Sequence, residues 1–409
     1  MDDSFWHGMA DMGSVVANGR FVVARAEGTR IWDTDGNEYL DATAGLWFAN
    51  VGHGRTEVAQ AVADQLSKVA HFSGFGDIAA DVTLELADRL GDIAPVPGSK
   101  VFFTSGGSDS IDTAAKLARR YWHELGQPEK KIIVGRTKGY HGMHVAGTSL
   151  AGIPLNREGY GELMPDTETV DWDNAKSLLG LIERLGADRI AAFFCEPIIG
   201  AGGIYLPPEG YLDEVRQICR DHDVLFVADE VITGFGRIGG SWFASSRFSL
   251  EPDIMTTAKG LTCGYVPMGA VFISPRVAEP FYSGGVWWRH GYTYGGHAGA
   301  AAASMAVLDI IEREHLLDES LRLESDLAAA LSPLADLDTV SEVRTGLGAV
   351  SAIQLADPAE GPAMNGRMRA QGVTGRVCGQ GALQISPAFV MTTEETKELA
   401  DRLRAALTF

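Results

Sequence analysis

The sequence predicts an α/β fold with a mostly parallel sheet, and three observations carry that expectation. From Lys100 to about Ser274, short β-rich runs alternate with helical patterns. The chain has 409 residues, 45% hydrophobic and 22% charged, which is enough to bury a sizeable core in more than one domain. Its 49 glycines against 16 prolines fit many tight turns rather than disorder.

Taken in order, the expected strands are Val101 to Thr104, Lys131 to Gly135, Ile190 to Cys195, Val224 to Ala228, Ile254 to Thr257 and Ala270 to Ile273. Between them lie expected helices at Asp109 to Glu124, Asn174 to Leu185 and Gly210 to His222, the last announced by Pro207 and Pro208. Ala298 to Glu314 reads as a long small-residue helix and Glu319 to Leu331 as another. Val340 to Leu355 then returns to strand character, where a second domain begins. Near the start, Thr29 to Tyr39 reads as a hairpin turning at Asp35-Gly36-Asn37. It has no evident partner nearby and is expected to pack on the C-terminal part.

Composition also excludes functions. Lys+Arg 34 against Asp+Glu 54 gives a net charge of −20, which works against binding nucleic acid or anionic lipid. Cys195, Cys219, Cys263 and Cys378 form no Cys-x-x-Cys pair, as expected of reduced thiols in the cytoplasm. Asp2 and Asp3 stand where a signal peptide would be positive, so secretion is not expected. The longest apolar stretches, such as Ile190 to Ile199, are interrupted by Glu196 and Pro197, short of the roughly 20 residues a spanning helix needs.

Three motifs carry chemistry. Thr104-Ser105-Gly106-Gly107-Ser108-Asp109 lies between a strand and a helix, where backbone N–H groups converge on an anion. Its bland reading is a βα turn capped by Ser108. Asp229 and Glu230 follow an apolar strand, at the edge where α/β ligand sites lie. Lys259 ends the next one, and a desolvated lysine is a usable amine nucleophile, although taken alone it reads more readily as a surface lysine at a strand end. Together, a phosphate cradle, a strand-end Asp and a strand-end Lys are the handles for the phosphate, ring nitrogen and aldehyde of pyridoxal phosphate.

Here the chain resembles the class III pyridoxal-phosphate aminotransferases of fold type I. The resemblance rests on Tyr140-His141-Gly142, Glu196-Pro197, Asp229-Glu230-Val231 through Gly234-Phe235-Gly236-Arg237, Lys259-Gly260-Leu261 and Tyr292-Thr293-Tyr294-Gly295-Gly296-His297. It implies a large domain with a mostly parallel seven-stranded sheet over residues 51–300, and a small α+β domain from both chain ends, 1–50 and 301–409. It also implies that Lys259 is the Schiff-base lysine and proton shuttle, and that Asp229 pairs with the ring nitrogen. By the same resemblance Tyr140 and Val231 would flank the ring, Tyr140 also facing the substrate, and Glu196 would belong to the cofactor pocket. Gly107 and Ser108 would bind the phosphate with Thr293 of a neighbouring subunit, making the active unit at least a homodimer.

Within the family, Ala201 and Ile232 differ from the Glu and Gln of ornithine- and 4-aminobutyrate-type members, and Glu196 to Gly203 looks like the amine:pyruvate branch. Arg376 matches that branch's mobile arginine, which binds a keto acid carboxylate or swings out to admit an apolar amine. Trp47 matches its pocket-wall tryptophan. Their ordinary readings are a surface arginine in a Gly-rich loop and a packing aromatic. The chain departs from the usual phosphate-loop pattern at Asp109, Ile111 and Ala298, which bears on loop geometry rather than reaction class.

Other signals point elsewhere. Gly234-x-Gly236-x-x-Gly239 fits a dinucleotide fingerprint, yet no amphipathic helix opens after it. His141 and His144 lack the partners of a metal site and read as pocket or packing residues. Trp287-Trp288 reads either as a substrate wall or as interface packing. The expected activity is transfer of an amino group from a primary amine or ω-amino acid to pyruvate or a similar keto acid. Racemisation or decarboxylation on the same scaffold is the alternative, and a silent cofactor-binding regulator is the rival from another class.

Overall fold

In the computed structural model of the protein, which describes residues 4–378 and 380–408, the main sheet has seven strands. Their spatial order is Lys100–Thr104, Gly269–Ile273, Ile254–Thr257, Leu225–Asp229, Ile190–Cys195, Ile132–Arg136, Thr167–Val170. Gly269–Ile273 runs antiparallel to both neighbours, and every other pairing is parallel. Six of these strands match the apolar runs of the sequence. The seventh, Thr-Glu-Thr-Val, is a partly exposed edge strand without an apolar run to announce it.

Alternate residues of the central strands enter two different cores. Phe193, Phe226, Ala228 and Met255 pack on one face with Leu178 and Val215. Phe194, Leu225, Val227 and Ile254 pack on the other with Ala114, Leu117 and Trp122 of the helix Gly107–Glu124. Both faces being covered, nothing along these strands need be polar until they end. That is why the sequence reads as uninterrupted apolar runs.

The chain ends build two smaller sheets. The hairpin Arg30–Asp33 and Glu38–Asp41 has its expected pairing and meets Val373–Thr374 in parallel, Leu40 against Val373 and Asp41 against Thr374. It does have a neighbour in sequence, contrary to expectation: Val23–Glu27 pairs with Arg30–Asp33. That strand is largely exposed and carries two charges, so no alternating apolar pattern betrays it. The second sheet orders Val340–Arg344, Ser351–Leu355, Ala382–Ile385 and Arg376–Cys378, all antiparallel. The helix Ala298–Arg313 runs unbroken past residue 300, so the boundary expected there falls inside it. Its buried small residues, Ala300, Ala301 and Ala303, permit close approach of neighbouring elements.

The segment after the strand Leu225–Asp229 joins both parts. Residues 231–242 form turns, with Gly236 at φ +92° and Gly239 at φ +87°, and no helix opens there to bind a dinucleotide. Arg237 is fully buried and donates to Asn50 Oδ1 at 2.6 Å, Pro387 O at 2.6 Å and Ala349 O at 3.1 Å. Its guanidinium lies 4.7 Å from the Phe389 ring centroid. Burial with no carboxylate bonded to it pushes this arginine down to about 9. One side chain thus holds the N-terminal arm and two C-terminal segments.

Arg237→Ala is expected to lower stability by about 3 kcal/mol, because three buried acceptors lose their donor. Arg25→Ala, removing an exposed pair with Glu27, is expected to cost less than about 0.5 kcal/mol. Thermal or denaturant unfolding of the two variants checks the contrast.

Candidate active site

Three adjacent strands deliver their end residues to one edge. Cys195 aligns with Ala228 and Asp229 aligns with Thr256, so Glu196, Asp229 and Lys259 emerge side by side where the strands finish. They line a cavity of about 140 Å³ with Gly107, Ser108, Ile111, Tyr140, His141, Gly142, Val231 and Ile232.

Asp229 is 5% exposed and held from several directions. Its Oδ1 accepts from Val231 N at 3.1 Å and from Thr256 Oγ1 at 3.3 Å. Its Oδ2 lies 2.7 Å from Nδ1 of His141, itself buried. Glu230 serves another purpose: its carboxylate accepts from Ala244 N and Ser245 N, both at 2.6 Å, and from Thr233 Oγ1 at 3.0 Å. Of the two strand-end carboxylates, one faces the cavity and the other clamps the loop behind it.

Glu196 accepts from Tyr140 N at 2.8 Å and Gly200 N at 3.0 Å, so it fixes the turn that carries Tyr140. Burial, then the charge of Asp229, pushes its carboxyl up, while His141 opposes the shift. Lys259 sits at φ +43°, uncommon for a residue with a side chain, directly after the strand Ile254–Thr257 and Ala258. It is half-buried because one side borders the cavity. Desolvation brings its ammonium down to about 8, against the pull of Asp229 and Glu196 and with the help of Arg376.

At the other end of the cavity the helix Gly107–Glu124 begins. Gly106 precedes it without any side-chain cap, which leaves the first-turn N–H groups to another acceptor. Ser108 is therefore not the cap; its Oγ instead accepts from Met143 N at 3.1 Å. A Cβ on Gly107 would come within 2.9 Å of Val231 Cγ1, and one on Gly142, at φ +85°, within 2.4 Å of Ser108 Oγ. Both glycines keep the cradle open and the Tyr140-to-Met143 turn tight against it. An uncapped helix N-terminus, a buried carboxylate, an aromatic wall and a desolvated amine suit a phosphorylated pyridine aldehyde.

Three expected residues stand outside this group. Arg376 opens the strand Arg376–Cys378, and its charge is felt at Tyr140 and Lys259. Among the described residues, no carboxylate pairs with it. Trp47 is 2% exposed and packs with Ile198, Ile204 and Cys378 rather than on the cavity wall, with Ile232 bridging that cluster to the cavity. Thr293 is exposed, its carbonyl 2.8 Å from His71 Nε2, and does not line the cavity of its own chain. Trp287 is 73% exposed, while Trp288 packs on Phe102 and Phe281. His141, read from the sequence as a pocket or packing residue, is buried and lines the cavity. Its place beside Tyr140 was the available signal, but a histidine in a loop names no partner until Asp229 is brought to it.

The chain matches the family model described as aminotransferase class-III over residues 13–407. A putrescine–pyruvate aminotransferase of Pseudomonas aeruginosa is 41% identical over 358 residues, covering 82% of this chain and 77% of its own. A β-alanine–pyruvate aminotransferase of the same organism is 38% identical over 413 residues, covering 94% and 91%. Among solved structures, an (S)-enantioselective ω-transaminase from Thermomicrobium roseum superposes at a TM-score of 0.95 with 35% identity, covering 98% of this chain and 95% of that one. An amine transaminase from an uncultivated Pseudomonas species, in its pyridoxal-phosphate-bound form, gives 0.94 and 35%, covering 100% and 99%. The fold, the donor set and these likenesses agree that this chain belongs to the class III aminotransferases, pyridoxal-phosphate-dependent enzymes of fold type I.

Proposed function

We propose that the protein moves an amino group from a primary amine or ω-amino acid to pyruvate or a similar keto acid. The carrying observation is the convergence of Lys259, Asp229, Glu196, Tyr140 and the Gly107–Ser108 helix start on one cavity, with the Arg376 charge felt at Lys259 and Tyr140. Relatives named for putrescine, β-alanine and pyruvate support this substrate class over racemisation or decarboxylation.

When bound, pyridoxal phosphate supplies an electron sink for the carbanion formed at the substrate's amine-bearing carbon. The helix-start N–H groups of Gly107 and Ser108 would hold its phosphate. Asp229 would pair with the ring nitrogen, and Tyr140 and Val231 would flank the ring. Lys259 would hold the cofactor through Nζ, and its amine would serve as the base for the proton on the substrate carbon. A lysine poised near 8 has both forms available at neutral to mildly basic pH. Arg376 binds the keto acid carboxylate through its planar fork and turns aside for an apolar amine.

In this reading the active unit is a homodimer, with Thr293 completing the partner's phosphate site. The exposed Phe75, Trp287 and Tyr294 around that segment support an interface there. Four free, buried thiols fit a cytoplasmic setting. The division into a large domain over 51–300 and a small one from both ends belongs to the same reading.

The first test follows visible absorption of the holoprotein during addition of α-methylbenzylamine, then pyruvate, with acetophenone and alanine assayed. Bleaching by amine and recovery with pyruvate, alanine accumulating, is expected; amine consumption without alanine would point to another reaction. Cofactor uptake by the stripped protein requires the neutral Lys259 amine. Its rate is therefore expected to rise about tenfold per pH unit below 8 and level off above it, as measured by stopped-flow absorption. Arg376→Ala is expected to raise the KM for pyruvate by about 30-fold or more, from loss of a charged bidentate contact worth about 2 kcal/mol. The half-reaction with an apolar amine should stay within about threefold, which single-turnover kinetics will measure.

A further inference from the structure

We propose that Gln384 is a positioning residue for Arg376: its side-chain oxygen receives the Arg376 guanidinium when that arginine turns aside from a keto acid carboxylate to admit an apolar amine. The proposal rests on the reading of Arg376 given above and adds the group that holds its second position.

Sheet register brings the two residues together. Arg376 pairs directly with Gln384 where the strands Arg376–Cys378 and Ala382–Ile385 run antiparallel. Side chains of directly paired residues share a face, with Cβ atoms about 4.5–5.5 Å apart. Their neighbours identify the face. Val377, Leu383 and Ile353 pack into one core with Leu399 and Leu403, whereas Cys378, Ala382 and Ala352 pack with Trp47, Ile198 and Ile204. Alternation along the strands therefore puts Arg376 and Gln384 on the side of Trp47.

On that face an amide is out of place unless it has something to bind. Gln384 is fully buried, and Ala352, Ala382 and Cys378 beside it are apolar. Its Nε2 donates to Ser386 Oγ at 3.1 Å, and Ser386 Oγ lies 3.5 Å from Thr43 O, in the loop that carries Trp47. A carbonyl only accepts, so the Ser386 proton is directed to Thr43 and the hydroxyl oxygen is left to accept from the amide. This fixes which end of the amide is which. Oε1 is buried without a hydrogen-bond partner among the described residues, an arrangement that costs stability.

Across the strand pair, Arg376 is half-buried and makes no hydrogen bond or ion pair among the described residues. Its charge is felt instead at Lys259 and Tyr140. A guanidinium lacking an acceptor and an amide oxygen lacking a donor thus share one face of one strand pair. A neutral amide also suits a second position better than a carboxylate. It accepts from the guanidinium without the charge pairing that would keep the arginine from an incoming keto acid.

Two substitutions at this position are expected to shift substrate preference in opposite directions, each half-reaction of the holoprotein being followed separately by single-turnover absorption. Gln384→Leu keeps the size and removes the acceptor. It should raise the α-methylbenzylamine concentration for half-saturation about tenfold, because the arrangement that admits the amine is less populated, and leave that for pyruvate within about twofold. Gln384→Glu places a carboxylate there and should do the reverse, raising the pyruvate value about tenfold and keeping the amine value within about threefold. Damage to packing would move both substrates together and lower the thermal midpoint. A Leu variant indifferent to the amine, or variants that alter both substrates alike, would overturn the proposal.

A double-mutant cycle gives an independent check. In an Arg376→Ala background, Gln384→Leu should change the amine value by no more than about twofold, since no guanidinium is left to receive; a full tenfold loss there would refute action through Arg376. If Arg376→Ala leaves pyruvate saturation unchanged, the reading of Arg376 falls and this proposal with it. If Arg376→Ala weakens pyruvate while Gln384→Leu spares the amine, the proposal falls alone.

Discussion

The register of three parallel strands is the constraint on which the site depends. Pairing Cys195 with Ala228 and Asp229 with Thr256 makes the strands Ile190–Cys195, Leu225–Asp229 and Ile254–Thr257 finish almost level. A slip of one residue in any of them would turn its apolar side chains to the wrong core and carry its terminal polar residue off the cavity. Packing and chemistry are therefore specified by the same hydrogen bonds. The cores on both sheet faces hold the register, and the register aims Glu196, Asp229 and Lys259.

Burying these charges is costly, and the structure answers group by group. Glu196 takes two backbone N–H groups, Asp229 takes a backbone N–H, a hydroxyl and an imidazole, and Glu230 takes two backbone N–H groups and a hydroxyl. Lys259 has carboxylates near it but is still brought down to about 8, so its desolvation outweighs their attraction. The carboxylates are thus surrounded by donors, while Lys259 borders the open cavity.

The large sheet was legible in the sequence because strands covered on both faces must be apolar throughout. Lys259 and Asp229 were legible because a charge ending such a run contradicts its surroundings. The edge strand Thr167–Val170 and the exposed strand Val23–Glu27 lacked any such pattern, since neither lies in a two-sided core. Ser108 shows a subtler limit: its type suits an N-cap, but the cap position went to Gly106, and only the folded turn at Gly142 gives the hydroxyl its partner. His141 was named within a motif, yet its contact with Asp229 spans 88 residues of chain and no local pattern encodes it.

The residues assigned to cofactor and to substrate come from different parts of the architecture. Gly107, Glu196, Asp229 and Lys259 all sit at ends of elements of the main sheet layer. Arg376 begins a strand of a separate sheet, two residues after Thr374 pairs with Asp41. Asp41, in turn, accepts from Thr43 N at 3.0 Å, Gly45 N at 2.6 Å and His53 Nε2 at 2.9 Å, anchoring the loop that carries Trp47. Trp47 and Arg376 thus hang from one short parallel pairing that unites the two chain ends, and Arg237 ties the Asn50 end of that loop to the segment following Asp229. Such a division lets the segments that carry Trp47 and Arg376 vary in size and charge while the register that aims Glu196, Asp229 and Lys259 stays unchanged.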